Sequence, residues 1–191
     1  MSWRTCCGDL CAMNEHLSIR QQLESVTTSL VGISLWDAGR AADLIWFALG
    51  PRKTIRDFQG EPREVGEYAL HVQCAWRIVK GEKVVVGSRD LYYPAGYQDQ
   101  REEIPRGFNW DVQGANRCDE LLGTLFEGAT KPLVVQGIEV GQAGALSLLL
   151  EGSLTLQIFP HDSLAGEHWR LFKPGSTEPH WVLTGKGFER H

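Results

Sequence analysis

A regular alternation of apolar and polar residues runs from Glu67 to Ile78 and is the clearest pattern along the chain. Apolar residues recur at every second position, which is the period of a β-strand with one buried face. The turn-like residues Lys80-Gly81-Glu82-Lys83 follow, and residues 84–93 then form a second strand-like run. The pattern therefore predicts a long β-hairpin made from these two runs.

Shorter apolar runs separated by turn residues predict the remaining strands. Residues 30–36 and 42–49 are joined by Asp37-Ala38-Gly39-Arg40, which predicts a second hairpin. Residues 42–49 are apolar on both faces, which is typical of a strand in the middle of a sheet. Further strands are predicted at 133–140, 145–150, 154–159, 169–172 and 181–184.

Two segments have helical periodicity instead. Residues 15–26 predict a short amphipathic helix with Asn14 as its N-cap, and residues 116–127 predict a second helix that ends before Gly128. About nine strands at hairpin spacing with one or two helices predict a mainly β (α+β) fold, either an antiparallel barrel or a sandwich. Strands and helices do not alternate as a parallel nucleotide-binding sheet would require.

The segment 94–115 differs from the rest of the chain because it is polar, long and rich in Gly and Pro. Connections of this length in a compact domain are often functional. It also carries Tyr97, Phe108 and Trp110, which indicates that at least its second half packs against the domain. Residues 1–13 are predicted to be a disordered leader and residues 14–191 a single domain.

Charge and composition exclude several classes of protein. The 191 residues carry a formal net charge of −5 and their basic residues are scattered, which disfavours binding to nucleic acid. No run approaches the ~18 apolar residues of a membrane helix. The N-terminus has no apolar signal region, so we predict a cytoplasmic protein without a membrane association.

The cysteines and histidines do not match a known metal motif. The odd number of cysteines, five, argues against a disulfide framework. Cys6, Cys7, Cys11 and His16 do not have the spacing of a zinc site. A set made of His71, His168 and His180 is conceivable, but no spacing in the sequence brings these residues together. We therefore predict no metal and no cofactor.

The polar cluster Ser88-Arg89-Asp90 follows the second apolar run of the long hairpin. On a regular strand Arg89 and Asp90 would point to opposite faces. A charge near a core needs a partner, so one interpretation is a structural ion pair at the rim of the sheet. The alternative is a ligand cavity that holds one of the two charges.

Polar residues on two other predicted strands are further candidates for a site. His71, Gln73 and Arg77 share one face, which is either exposed to solvent or lines a wet cavity. His168 and Arg170 should also share a face. Usual motifs for nucleotide binding, serine hydrolysis and zinc proteolysis are missing from the sequence. The candidate catalytic residues are His71, Arg89 and Asp90, and the candidate ligand-binding residues are Gln73, Arg77, His168, Arg170 and Trp110.

Three stretches resemble a group of small bacterial proteins of unknown function. They are Glu67-Tyr68-Ala69-Leu70-His71-Val72-Gln73-Cys74-Ala75-Trp76-Arg77-Ile78, Gly87-Ser88-Arg89-Asp90-Leu91-Tyr92-Tyr93-Pro94 and His168-Trp169-Arg170-Leu171-Phe172. The resemblance covers residues 27–184 and implies a bacterial origin. It carries no activity and assigns no site.

The leading hypothesis is a non-catalytic binding module that holds a protein partner or a small ligand through the 94–115 loop and one open end of the sheet. An immunity or antitoxin-like protein fits this size and charge by analogy. The alternative is a small enzyme in which His71, Arg89, Asp90, His168 and Arg170 converge on the mouth of a barrel. A third hypothesis is a homodimer that pairs through residues 42–49.

Overall fold

The computed structural model describes residues 17–57, 59–99, 101–127 and 132–191. These residues form a mainly β structure with two α-helices, which confirms the predicted fold class at that level. The helices are α1 (Ile19–Thr27) and α2 (Arg117–Glu127). The strands are β1 (Ser34–Ala41), β2 (Leu44–Leu49), β3 (Lys53–Arg56), β4 (Pro62–Val65), β5 (Tyr68–Val72), β6 (Ala75–Lys80), β7 (Lys83–Gly87), β8 (Leu133–Val140), β9 (Leu146–Leu150), β10 (Leu154–Phe159), β11 (Glu167–Phe172), β12 (Trp181–Thr184) and β13 (Gly187–Arg190).

Eleven strands form one sheet in the order β13-β12-β11-β5-β2-β1-β8-β9-β10-β6-β7, and β3 pairs with β4 in a separate hairpin. All of these pairings are antiparallel. The order has two ends, β13 and β7, so the described strands do not close into the barrel that the sequence left open as an alternative.

The large sheet has two halves that meet at a short seam. The pairing between β1 and β8 is limited to Ser34 with Val134 and Leu35 with Leu133. We call β13-β12-β11-β5-β2-β1 the first half and β8-β9-β10-β6-β7 the second half. Both halves and both helices bury side chains in one hydrophobic core, which includes Leu23, Phe47, Leu70, Ile78, Leu122, Leu148, Leu156 and Trp169.

The predicted strand over residues 67–78 is wrong in one respect. The chain leaves β5 after Val72 and enters β6 at Ala75, and these two strands belong to different halves of the sheet. The alternation itself continues across the break, since Cys74 is buried like the apolar residues on either side. The pattern therefore identifies the buried face but not the point at which the chain crosses between the two halves.

Residues 88–93 do not continue β7 as predicted. Ser88–Tyr92 form a turn of 3₁₀ helix. The carboxylate of Asp90 accepts a hydrogen bond from the backbone N–H of Gly87 at 2.8 Å, which stabilises the start of that turn. Asp90 also forms an ion pair with Arg117 of α2 at 3.3 Å. Arg89 and Asp90 therefore do not alternate across a strand.

The turn of the first hairpin lies later than predicted. Ala41 pairs with Leu44, so the turn consists of Ala42 and Asp43. Residues 37–40, which were predicted to be the turn, lie inside β1. Ala42 has a φ of 52°, a left-handed conformation of the kind that two-residue hairpin turns need. The sequence pattern also missed β3, β4 and β13.

The helices agree more closely with the sequence. α2 begins at Arg117, and the side chain of Asn116 accepts a hydrogen bond from the N–H of Asp119 at 2.9 Å. α1 begins at Ile19 with Ser18 as its N-cap. The predicted leader at 1–13 and the predicted N-cap Asn14 lie outside the described residues. Neither described helix is long and apolar enough to cross a membrane.

The second half of the 94–115 loop is held against the domain, as its aromatic residues predicted. Trp110 packs edge-to-face on Tyr92 with ring centroids 5.6 Å apart. Pro94 and Asn116 form an isolated antiparallel bridge that closes the loop at its base. The side chain of Asn116 donates a hydrogen bond to the carbonyl oxygen of Trp110 at 3.0 Å.

Candidate ligand cavity

The outer face of the first half carries an unusual row of side chains. The strand registers place Gly39 beside Trp46, Trp46 beside His71, and His71 beside Arg170. Their strand neighbours, such as Phe47, point the other way into the core. Because successive residues of a strand face opposite sides, an aromatic ring, an imidazole and a guanidinium group all lie on the face away from the core.

A cavity of about 730 Å³ lies between this face and the β3–β4 hairpin. We call it the hairpin cavity. Its volume is within the range of pockets that hold small molecules. The sheet contributes Trp46, Ala48, Ala69, His71 and Phe172 to the lining, and the hairpin contributes Ile55, Arg63 and Val65.

Small residues in the sheet create the space. Ala48 and Ala69 pair across β2 and β5, so neither fills the floor of the cavity with a long side chain. Gly39 leaves room for the indole of Trp46, since a Cβ atom at Gly39 would lie only 2.8 Å from Cε2 of that ring. The indole can therefore lie along the sheet instead of standing away from it.

Aromatic rings form one side of the cavity. His71 packs edge-to-face on Phe172 with centroids 4.8 Å apart, and Phe172 stacks on His180 at 4.6 Å. The guanidinium group of Arg63 lies 5.9 Å from the centre of the Trp46 ring, which is within the range of a cation–π contact. A planar ligand would meet ring faces and edges in this part of the cavity.

Two titratable groups of the lining are perturbed by burial. Burial lowers the pKa of His71; the charge of Glu167 opposes this shift, and the charges of Arg170 and Arg63 reinforce it. Burial raises the pKa of Asp37, although the N–H of Ala38 donates to its carboxylate at 2.9 Å. His71 is therefore a neutral hydrogen-bonding group near pH 7. Groups with perturbed pKa values in a concave site are typical of functional positions.

Arg170 is held by neighbours of its own and is not available to a ligand as a free charge. Its Nε lies 3.1 Å from Oε2 of Glu167, and its Nη1 lies 3.1 Å from Nδ1 of His180. Burial, followed by the charge of Arg170, lowers the pKa of His180. This network stabilises the ring of His180 beside Phe172.

One end of the cavity is fixed by a buried ion pair. Arg40 lines the cavity, and its guanidinium donates to both carboxylate oxygens of Asp119, at 2.9 and 3.0 Å. The two side chains are only 3% and 9% exposed. Arg40 also pairs with Asp111 at 3.2 Å, so it joins β1, α2 and the 94–115 loop. A bidentate pair of this kind fixes geometry as well as charge.

The candidates from the sequence lie in several separate places. Of the five residues proposed for the enzyme, His71 and Arg170 share the outer face of the first half. His168 is buried elsewhere, beside Cys74 and His161. Arg89 and Asp90 belong to the 3₁₀ turn after β7. The five side chains do not converge on one pocket.

The remaining ligand-binding candidates are also dispersed. Gln73 is exposed at the crossover between β5 and β6. Arg77 is exposed on the second half, where its Nε donates to Gln157 at 2.7 Å. Trp110 belongs to the 94–115 loop and packs against Tyr92 and the core. Of the histidines considered together for a metal, His71 and His180 both contact Phe172, whereas His168 lies apart from them.

Sequence reasoning missed most of the cavity lining. Asp37 and Gly39 were assigned to a turn, and Trp46 was included in a strand that was apolar on both faces. Arg63 lies in β4, a strand that the sequence pattern did not predict. The one available signal was Trp46, because a large aromatic residue on the second face of a central strand needs something to pack against.

A second cavity, of about 670 Å³, lies near the start of β1 and has a different character. Its lining includes Gly32, Gly50 and Pro132, and the charged residue in it is Arg52. Arg52 is already paired with Glu64 at 3.2 Å and lies over the ring of Trp36. This cavity offers fewer specific contacts than the hairpin cavity.

Comparisons with protein-family models, with curated proteins and with solved structures gave no match. The function is therefore inferred from the geometry and chemistry of the site.

Proposed function

We propose that this protein is a small-ligand-binding module whose ligand occupies the hairpin cavity. Its scaffold is a sandwich-like antiparallel sheet, with the β3–β4 hairpin placed over the outer face of the first half. The observation that supports this function is the convergence of Trp46, His71, Phe172 and Arg63 on a cavity of about 730 Å³. Mostly apolar pockets with a few oriented polar groups are typical of small-molecule sites.

The lining selects a ligand class. Trp46 and Phe172 both line the cavity and offer aromatic surface to a planar, largely apolar ring system. Arg63 is exposed and is held over an aromatic ring, so its charge is available to an anionic group on the ligand. Neutral His71 can donate or accept one hydrogen bond. We therefore propose a small aromatic or polycyclic molecule that carries a carboxylate or a similar acidic group.

The rival hypothesis of a protein partner depends on the 94–115 loop. Ile104 and Val112 of this loop are 40% and 52% exposed. The described residues of this loop contribute nothing to the lining of the hairpin cavity. The two hypotheses therefore involve different parts of the molecule and can be separated by mutation.

The direct test is affinity selection of small molecules by the purified chain, read by mass spectrometry, followed by titration of each hit. Phe172→Leu removes a ring from the cavity, whereas Phe159→Leu removes a ring that is 38% exposed at the end of β10. We expect the first variant to weaken binding by about 10-fold and the second by less than about 2-fold, since one aromatic contact contributes roughly a kcal/mol. Thermal unfolding of both variants controls for loss of the fold.

Deletion of residues 98–107 provides the second control. Small-molecule binding should survive this deletion, because the cavity is lined by other segments. Hits that bind Phe172→Leu as tightly as the original chain would contradict the proposal. A stoichiometric protein partner that is lost on deletion of the loop, with no small-molecule hit, would support the rival hypothesis instead.

A further inference from the structure

Cys74, His161 and His168 form a cluster on the core side of the structure, away from the hairpin cavity lining. One potential ligand atom from each residue lies within 4.8 Å of those of the other two. Cys74 and His168 are buried and His161 is exposed. We infer that this cluster is a binding site for a Zn²⁺ ion, with one thiolate and two imidazole ligands.

Three irregularities of the sheet bring the residues together. Cys74 lies at the crossover between β5 and β6, and His161 follows the end of β10. His168 lies at a bulge in β11, where the pairing with β12 shifts between Glu167 and Trp169. Bulges turn a side chain from one face of a strand to the other. His168 and Trp169 are consequently both buried although they are adjacent in sequence.

Backbone hydrogen bonds hold the three segments in place. The N–H of Gln73 donates to the carbonyl of His168 at 2.8 Å, so the residue next to Cys74 is tied to β11. The N–H of Ala75 donates to Nδ1 of His161 at 3.3 Å. The rings of His161 and His168 have their centroids 5.8 Å apart. The cluster is therefore assembled by the fold before any ion binds.

The separation of the ligand atoms is close to what zinc requires. Zn–N and Zn–S bonds in a tetrahedral site place neighbouring ligand atoms about 3.5 Å apart. The three ligand atoms lie within 4.8 Å of one another, so small shifts of the side chains bring them to the distances of a bound ion. Thiolate and imidazole ligands favour zinc over the hard cations magnesium and calcium.

Asp162 completes the surroundings of the cluster. Nε2 of His168 lies 3.1 Å from the backbone carbonyl oxygen of Asp162, an orienting contact of the kind that metal-bound histidines make. The carboxylate of Asp162 lies 3.9 Å from the same nitrogen and is partly exposed. A cavity of about 380 Å³ lined by His161, Asp162 and His168 leads to the cluster. The fourth position of a tetrahedral ion is then open to a water molecule from this cavity.

The experiment measures binding of Co²⁺ and Zn²⁺ to the full chain. Cys6, Cys7 and Cys11 are replaced by serine so that their thiols do not contribute. We expect a thiolate-to-cobalt charge-transfer band and the strong visible bands of tetrahedral cobalt, at one equivalent of metal. Zn²⁺ should displace the cobalt stoichiometrically and raise the melting temperature.

Two substitutions test the ligands, with one matched control. Cys74→Ser should abolish the charge-transfer band, whereas Cys118→Ser, which changes another buried free cysteine, should leave it intact. His161→Gln changes an exposed residue and should preserve the fold but weaken Zn²⁺ binding by more than about 100-fold, beyond the usual effect of an orienting neighbour. A chain that binds no cobalt, or binds it equally well after His161→Gln, would overturn the proposal.

The result is independent of the proposed function. Phe172 lies outside the cluster of Cys74, His161 and His168, so the Phe172→Leu variant should bind Zn²⁺ as tightly as the original chain does. Loss of small-molecule binding with intact metal binding, or the reverse, therefore identifies which of the two proposals fails.

Discussion

The two halves of the sheet differ in what they present on their outer faces. Across the second half, the registers align Glu139, Ser147, Gln157 and Arg77, a polar row in which Arg77 bonds to Gln157. The corresponding row of the first half is Gly39, Trp46, His71 and Arg170. The row of the second half is typical of a sheet face exposed to water. The row of the first half is typical of a face that holds a ligand.

The difference shows where the chain departs from simple strand rules. The inner faces of both halves are filled with apolar side chains, which stabilise the fold. The outer face of the first half instead has a hairpin over it and perturbed titratable groups within it. Groups that lose hydration without filling a core are usually retained for function rather than for stability.

The largest difference in stability is expected between substitutions of one arginine in each half, Arg40 in the first half and Arg77 in the second. Arg40→Leu leaves the buried carboxylate of Asp119 without its charged partner, which should lower the free energy of unfolding by about 3 to 5 kcal/mol. Arg77→Leu removes an exposed arginine from the second half and should change it by less than about 0.5 kcal/mol. Urea unfolding of both variants measures the difference, and equal effects would contradict the assignment of Arg40 as a structural anchor.

A pair of glycine substitutions should have an intermediate effect. A Cβ at Gly39 displaces the indole of Trp46, so Gly39→Ala should cost about 1 to 3 kcal/mol and change the near-ultraviolet circular dichroism. At Gly137 of the second half, the nearest atom is Cδ1 of Leu149 at 3.4 Å, an ordinary contact. Gly137→Ala should therefore leave the aromatic spectrum unchanged. A Gly39→Ala variant with an unaltered spectrum would show that Trp46 is not held against the sheet.

The smallest effect is a dependence of stability on pH. The pKa of His71 in the folded chain lies below 6.5, its ordinary value in the unfolded chain. At pH values between these two pKa values, the unfolded chain binds more protons than the native chain. The contribution to stability is full above pH 6.5 and is lost as the pH falls through this window. His180 acts in the same direction, and the second half contains no histidine in its described strands.

His71→Gln should flatten this dependence. Denaturant unfolding at a series of pH values from 4 to 8, with the slope compared between the variant and the original chain, measures it. A slope that is unchanged by the substitution would mean that His71 is not buried in the neutral form.

The local pattern of apolar and polar residues predicted the class of fold well, because the class of fold depends on which residues are buried. Alternation marked the buried faces of β5 and β6, and helical periodicity marked α2 almost to the residue. The alternation could not predict the crossover at Cys74, because it continues through the break between β5 and β6. The 3₁₀ turn at Ser88–Tyr92 was missed because it depends on the carboxylate of Asp90, which accepts a hydrogen bond from the backbone N–H of Gly87 and pairs with distant Arg117.

The sites were predicted less well, because both depend on register between distant segments. His71 and Arg170 were identified as candidates, but their position beside Trp46 follows from pairings that the sequence does not encode locally. The cluster of Cys74, His161 and His168 depends on a bulge and two chain reversals. No spacing rule for metal ligands covers residues brought together in this way.

The most direct test of the ligand-binding proposal is fluorine NMR of the chain labelled with 5-fluorotryptophan, recorded during titration with a small-molecule hit. The tryptophans report from different places: Trp36 and Trp46 line the hairpin cavity, Trp169 is buried in the core and Trp110 belongs to the 94–115 loop. Single replacements by phenylalanine assign the signals. If the ligand occupies the hairpin cavity, the signal of Trp46 shifts most while those of Trp169 and Trp110 stay in place. A shift at Trp110 with no change at Trp46 would contradict the ligand-binding proposal and place binding at the loop.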